Sequence, residues 1–148
     1  MEHSNSLRYT GHLVRRAQQL HLALWNREVS LEISSVQYAA LHVIAAQPGI
    51  SQRELGSELG LDRSTIADLV DRMTRRGLLS RERSASDRRR KVLTVTAQGA
   101  EALAELTPAV DRVDELITGG LSTEDRDQLR GLLRSMLAHG AAAGLLQE

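Results

Sequence analysis

Eight basic residues crowd the stretch from Arg75 to Lys91: Arg75, Arg76, Arg81, Arg83, Arg88, Arg89, Arg90 and Lys91. Only Glu82 and Asp87 oppose them, a local net charge of +6 in a chain whose formal net charge is +0. From Ala100 to Glu148 the balance reverses to −5. One region is therefore suited to a polyanion and another is not. On charge alone, a solvated basic loop fits as well. A second set of chemistry-bearing residues lies near the N-terminus. Tyr9, Trp25 and Tyr38 are the chain's three aromatic residues, and there is no Phe. Arg15, Arg16 and His21 are interleaved with them on an apolar helical stretch. An arginine fork beside flat apolar walls could hold an aromatic carboxylate. Packing at an interface between chains would account for the aromatics equally well, and a salt bridge from Arg15 to Asp111 or Glu115 for the arginine. Arg15 and His21 are six residues apart and do not share a helical face, so such a pocket must curve around the helix or draw on a second chain.

Other chemistries find little support. There is no cysteine, which excludes thiol redox sensing and zinc sites built on thiolates. The histidines His3, His12, His21, His42 and His139 form no i,i+4 metal-ligand pattern. No glycine-rich phosphate loop and no nucleophile with a base in reach are present. The sequence therefore implies no enzyme, no metal and no cofactor. It has no apolar run long enough to span a bilayer and no signal pattern in MEHSNSLRYTGH, so a cytoplasmic protein without a membrane partner is expected.

The elements that must position these residues follow from turn and cap signals. The 148 residues, 41% hydrophobic and 26% charged, suit one globular domain. Six helical stretches and one hairpin are expected. The first helix spans about Ser6 to Val29, with Leu13, Ala17, Leu20 and Leu24 at helical spacing and Val14, His21 and Trp25 on an adjoining strip. Ser34 and Gln37 read as a capping box opening a helix that Pro48-Gly49 stops, and Ser51 and Glu54 as a second box. The short helix after Ser51 ends at Gly60, and Asp62 caps a longer one with Ile66, Leu69, Val70 and Met73 on its buried stripe, ending at Gly77. Helix, tight turn and longer helix match a helix-turn-helix.

Leu78 to Arg83 and Lys91 to Thr96 read as two short strands joined by the polar loop Ser84 to Arg90. A hairpin directly after a recognition-helix candidate is a wing, and its arginines suit a narrow minor groove. A helix from Thr96–Gly99 to about Thr118 contains Pro108, which is expected to kink it. After Gly119-Gly120, Ser122 opens a last helix with Leu129, Leu132, Leu133, Met136 and Leu137 on one stripe. The expected fold is mainly α with a small β-hairpin wing: a winged helix-turn-helix at about 35–99, flanked by dimerisation helices at about 6–29 and 100–145.

On these elements, Arg63, Ser64, Thr65 and Asp68 form the exposed start of the recognition helix. Arg63 can meet guanine O6 and N7, and Ser64 and Thr65 can meet phosphate or base edges, although Ser, Thr and Asp also serve as ordinary helix-start residues. Asp68 can accept from a cytosine amine or hold a neighbouring arginine. Arg75 can anchor phosphate, or simply complement the helix C-terminus. Arg88, Arg89 and Arg90 occupy the wing tip.

Leu61 to Gly99, LDRSTIADLVDRMTRRGLLSRERSASDRRRKVLTVTAQG, resembles the MarR family of bacterial transcriptional regulators. The wing carries the specific part, Asp87-x-Arg89 followed by Leu93, Thr96 and Gly99. The resemblance implies a two-fold, triangular homodimer that binds double-stranded DNA at a pseudo-palindromic operator, with Arg89 entering the minor groove and Asp87 steadying it. The stretch VQYAALHVIAAQPGISQ from Val36 to Gln52, with the first helix, is similar to members that sense aromatic carboxylates, the protocatechuate-responsive repressors. That implies a small aromatic carboxylate as effector, held by Arg15 and His21 with Tyr9, Trp25 and Tyr38 around it. The rival readings are a winged helix used as a protein-interaction module, which lacks salt-sensitive DNA binding, and a ligand-independent regulator or activator.

Overall fold

The computed structural model describes residues 8–146. The elements, in chain order, are α1 (Thr10–Glu28), α2 (Ser35–Ala46), β1 (Ile50–Ser51), α3 (Gln52–Leu59), α4 (Arg63–Arg75), β2 (Leu79–Arg83), β3 (Lys91–Val95), α5 (Ala97–Ile117) and α6 (Thr123–Ala142). The turn of α1 expected from Ser6 begins outside the described residues.

Local signals account for the helix starts. Ser34 accepts from the Gln37 amide while Gln37 accepts from the Ser34 amide, and Ser51 and Glu54 form the same reciprocal pair. Asp62, Thr96 and Ser122 accept from the amides of Thr65, Gly99 and Asp125. Each satisfies a helix-start donor that otherwise lacks a partner. Gly60, at φ 64°, ends α3 in the left-handed conformation that a side chain disfavours. α5 runs through Pro108 as one uninterrupted element.

The apolar stripes of α2, α3 and α4 close on the sheet. Leu41, Ile44, Leu55, Val70, Met73 and Leu93 are fully buried, with Ile66 and Leu79 beside them. The sheet has three strands, not the two of a simple hairpin, in the order β1-β3-β2. Ile50 pairs with Leu93 and Ser51 with Val92. A two-residue strand shows no alternation of its own, and its partner is supplied from far along the chain.

The flanking helices are different. Only Leu24 and Trp25 are buried on α1, and α6 has no buried residue. Trp25 is 4% exposed and donates its indole N–H to the Ile33 carbonyl at 2.7 Å. It fastens α1 to the segment before α2. Glu28 adds an exposed link to α5 through Arg112 at 3.3 Å.

Candidate nucleic-acid interface and aromatic cluster

α4 begins at Arg63 because Asp62 caps it. The Asp62 carboxylate accepts from the Thr65 amide at 2.8 Å and from the Ser64 hydroxyl at 3.0 Å. These bonds, the Thr65 amide foremost, hold the Asp62 carboxyl below its usual range. Ser64 thus has a local partner in the free protein. Arg63, Ser64, Thr65 and Asp68 are all exposed, whereas Ile66, Val70 and Met73 on the same helix are buried in the core. That leaves a polar helix start free to enter a groove.

At the other end of α4, Arg75 is exposed and makes a long 3.4 Å bond to the Asp71 carbonyl. Arg76 reaches the Glu32 carbonyl at 2.8 Å, tying α4 to the segment before α2. Shallow grooves of about 420 Å³ (Asp71, Thr74, Arg75, Arg81) and about 360 Å³ (Gln37, Arg72, Arg75, Arg76) flank this end.

The wing is braced to the helices behind it. Arg81 on β2 pairs with Asp71 on α4 at 2.7 Å. Arg90 pairs with Glu54 on α3. The Glu54 carboxyl is held below its usual range by the Ser51 amide first and by Arg90 next. Arg90 is therefore engaged within the chain, although the sequence grouped it with the wing-tip arginines suited to a minor groove. Arg88 and Arg89 are exposed. Asp87 acts on the backbone: its carboxylate accepts from the Arg89 main-chain amide at 3.0 Å, and its carbonyl from the Arg90 amide at 3.0 Å. It shapes the turn rather than gripping the Arg89 guanidinium. Sequence reasoning missed Asp71, Arg81 and Glu54. Glu54 showed a signal only for its capping role, which occupies one carboxylate oxygen.

The N-terminal candidates separate into two groups. Trp25 and Tyr38 stand 5.9 Å apart between ring centroids, with His21 6.1 Å from Trp25 and His42 stacked 6.2 Å from Tyr38. The Tyr38 hydroxyl lies 3.0 Å from the Thr107 hydroxyl on α5. This cluster of two aromatics and two histidines joins α1, α2 and α5. Tyr9 is 61% exposed and carries Arg8 over its ring at 5.2 Å. Along α1 it is about 24 Å from Trp25 at ~1.5 Å per residue, so it cannot line the same pocket within one chain. Arg15 is about 15 Å from Trp25 on the same measure. Although it lies on an apolar helical stretch, Arg15 is exposed in the single chain, with a 3.1 Å contact to His12 one turn back, and Arg16 bonds Gln19 at 2.8 Å. Among the described residues, Asp111 and Glu115 form no salt bridge with either. α1 lacks an overlying element along that part of its length, which is why its cations stay in solvent. Among the described residues, no group of three or more His, Asp or Glu is arranged to hold a metal.

Comparison with known proteins places this architecture. Residues 31–90 match the sequence profile of the MarR family. The transcriptional regulator HosA of Escherichia coli O127:H6 is 37% identical over 126 residues, covering 85% of this chain and 93% of HosA. The PcaV transcriptional regulator of Streptomyces coelicolor, in complex with its natural ligand, superposes with a TM-score of 0.88 at 38% identity, covering 93% of this chain and 98% of PcaV. BpsR of Bordetella bronchiseptica, whose DNA binding is regulated by 6-hydroxynicotinic acid, superposes with a TM-score of 0.84 at 26% identity, covering 92% of this chain and 96% of BpsR. A capped recognition helix, a wing braced against it and relatives aligned over nearly the whole length agree: the chain belongs to the MarR family and is a DNA-binding transcriptional regulator, not an enzyme.

Proposed function

We propose that the protein is a homodimeric repressor that binds a pseudo-palindromic operator and leaves it when a small aromatic carboxylate such as protocatechuate binds. The observation that carries this reading is the pairing of an exposed, arginine-bearing α4 start and wing with helices α1 and α6, whose apolar stripes face solvent. Two-fold pairing through those helices would present two reading heads to successive half-sites. The whole chain acts as a single domain, with 35–99 as the winged helix.

In this reading Arg63 reads bases and Arg75 anchors phosphate. Arg63→Ala should relax sequence preference, whereas Arg75→Ala should weaken specific and random duplex alike and reduce the salt slope by about 0.9. Mobility shifts on both duplexes across a salt series check this. Equal losses in both variants would end the division of labour. Arg89 enters the minor groove, so Arg89→Ala should cost about 1–3 kcal/mol of operator affinity with the melting curve unchanged. Undiminished binding would refute the wing assignment.

The effector reading rests on the His21–Trp25–Tyr38 cluster, with Arg15 upstream on α1. A hydroxylated aromatic acid also controls BpsR. The ring would lie against Trp25 and Tyr38, His21 would meet a ring hydroxyl, and an arginine fork would take the carboxylate. In a dimer, Arg15 and Tyr9 of the partner's α1 could complete the site, which removes the obstacle of their distance along one helix. The ligand must favour the DNA-incompetent state for release to follow. Titration calorimetry of protocatechuate and its uncharged amide, on wild type and Arg15→Ala, tests the clamp. The acid should bind wild type at least tenfold more tightly than the amide, by roughly 1.4 kcal/mol or more, and the variant should lose that preference. Equal affinities for acid and amide would dispose of the clamp and leave DNA binding untouched.

A further inference from the structure

The wing loop from residue 84 to 90 is polar apart from Ala85 and mostly exposed. Its internal bonds shape the tip without tying it to the helices: the Ser84 amide donates to the Arg90 carbonyl at 2.8 Å, the Ser84 hydroxyl meets the Ser86 hydroxyl at 3.0 Å and the Ser86 amide at 3.3 Å, and Asp87 accepts from the Arg89 and Arg90 amides. The connection from this loop to the helices runs from Arg90 to Glu54. Glu54 uses its two oxygens separately: Oε2 accepts the Ser51 amide at 2.9 Å, and Oε1 takes Arg90. Its base is firm, because Ser51 is buried in β1 and Leu55, the next residue, is fully buried.

We propose that Glu54 is the positioning residue of the wing. Through Arg90 it holds the loop so that Arg89, one residue away, meets DNA already oriented, and Arg90 serves as a strut instead of a DNA contact. This rests on the reading of Arg89 as a groove contact. The pair is about half exposed, at 48% and 52%, and such pairs add little to folding stability. Its effect lies in binding. A loop oriented beforehand loses less conformational freedom when DNA arrives. Arg81–Asp71 braces the other strand nearer its base, so the two ion pairs hold the wing to both helices of the reading head.

Glu54→Gln separates the two jobs, since a glutamine oxygen still accepts the Ser51 amide while the charge pairing is lost. The variant should bind operator about three- to tenfold more weakly, with melting temperature and salt slope unchanged. Arg90→Ala should lose the same, and the double variant no more than either single one. In the DNA-free protein, backbone order parameters over residues 84–90 should fall from about 0.85 toward 0.6 in Glu54→Gln while those of α4 stay rigid. Three results would overturn the proposal: tighter binding by Glu54→Gln, additive losses in the double variant, or an unchanged loop. Arg89→Ala run alongside keeps the two readings distinct. If it binds normally, the groove contact itself is wrong. If it weakens binding while Glu54→Gln does not, the tether alone is wrong.

Discussion

Leu132→Glu/Leu137→Glu is expected to convert the protein from the proposed dimer, of twice the 16.3 kDa chain mass, to a monomer and to lower operator affinity by about two to four orders of magnitude. Leu132 is 65% exposed and Leu137 60% exposed in the single chain. Leu129, Leu133 and Met136 on the same helix are exposed too, though less so, and Leu13, Val14 and Leu20 are exposed on α1. A helix of 20 residues with no buried side chain gains little from its own chain, and isolated helices are marginal in water. Covering each leucine with a second copy would contribute about 1.5–3 kcal/mol. Two carboxylates in that layer reverse the sign of the contact, since a buried charge without a partner costs several kcal/mol. The core around Leu41, Leu55 and Met73 receives nothing from α6, so the winged helix should stay folded. Losing the second reading head removes the local concentration that makes the second half-site cheap to occupy. Sedimentation velocity at micromolar concentration and a mobility shift on a full operator read both effects. A monomeric wild type, or a variant that stays dimeric, would defeat the proposed architecture.

Gly99→Ala should destabilise the fold by about 3 kcal/mol or somewhat more, at or above the usual upper end for overpacking. A Cβ at Gly99 would lie 2.1 Å from the Leu78 carbonyl oxygen and 2.8 Å from a Val95 methyl. The methyl can rotate away, but the carbonyl cannot. Leu78 is buried at the entry to β2, and its carbonyl accepts the Thr96 amide at 3.2 Å. α5 would have to withdraw from the base of the wing, disturbing the Thr96 cap with it. Gly60→Ala makes a useful contrast. Nothing lies within 4 Å of its Cβ, and only the left-handed φ of 64° opposes the change, a cost of about 1–2 kcal/mol. Chemical denaturation of the two variants should rank Gly99→Ala as the more damaging. The reverse order would show that the α5–β2 junction yields more readily than its backbone contact implies.

Much of the architecture was legible in the residues because its signals are short-range. Capping boxes act over three residues, helix stripes over three or four, and the glycine stops over one, so Ser34, Ser51, Asp62, Gly60 and Gly77 marked element ends without reference to the rest of the chain. The wing was readable for the same reason: a short extended stretch from Leu78 to Arg83 and the mostly β-branched run from Val92 to Thr96 bracket a polar loop. The sequence by itself determined the order of helices and strands, the exposed polar start of α4 and the surplus apolar surface of α1 and α6. The tertiary structure alone decided which charges meet. Glu54 and Arg90 are 36 residues apart, Ile50 finds Leu93 across the sheet, and Trp25 uses its indole N–H on Ile33 instead of on a ligand. Arg15, on an apolar helical stretch, is solvated because nothing among the described residues covers that face. A side chain's type and spacing constrain which face it occupies, but its partner depends on where folding brings distant segments, and no local pattern encodes that distance.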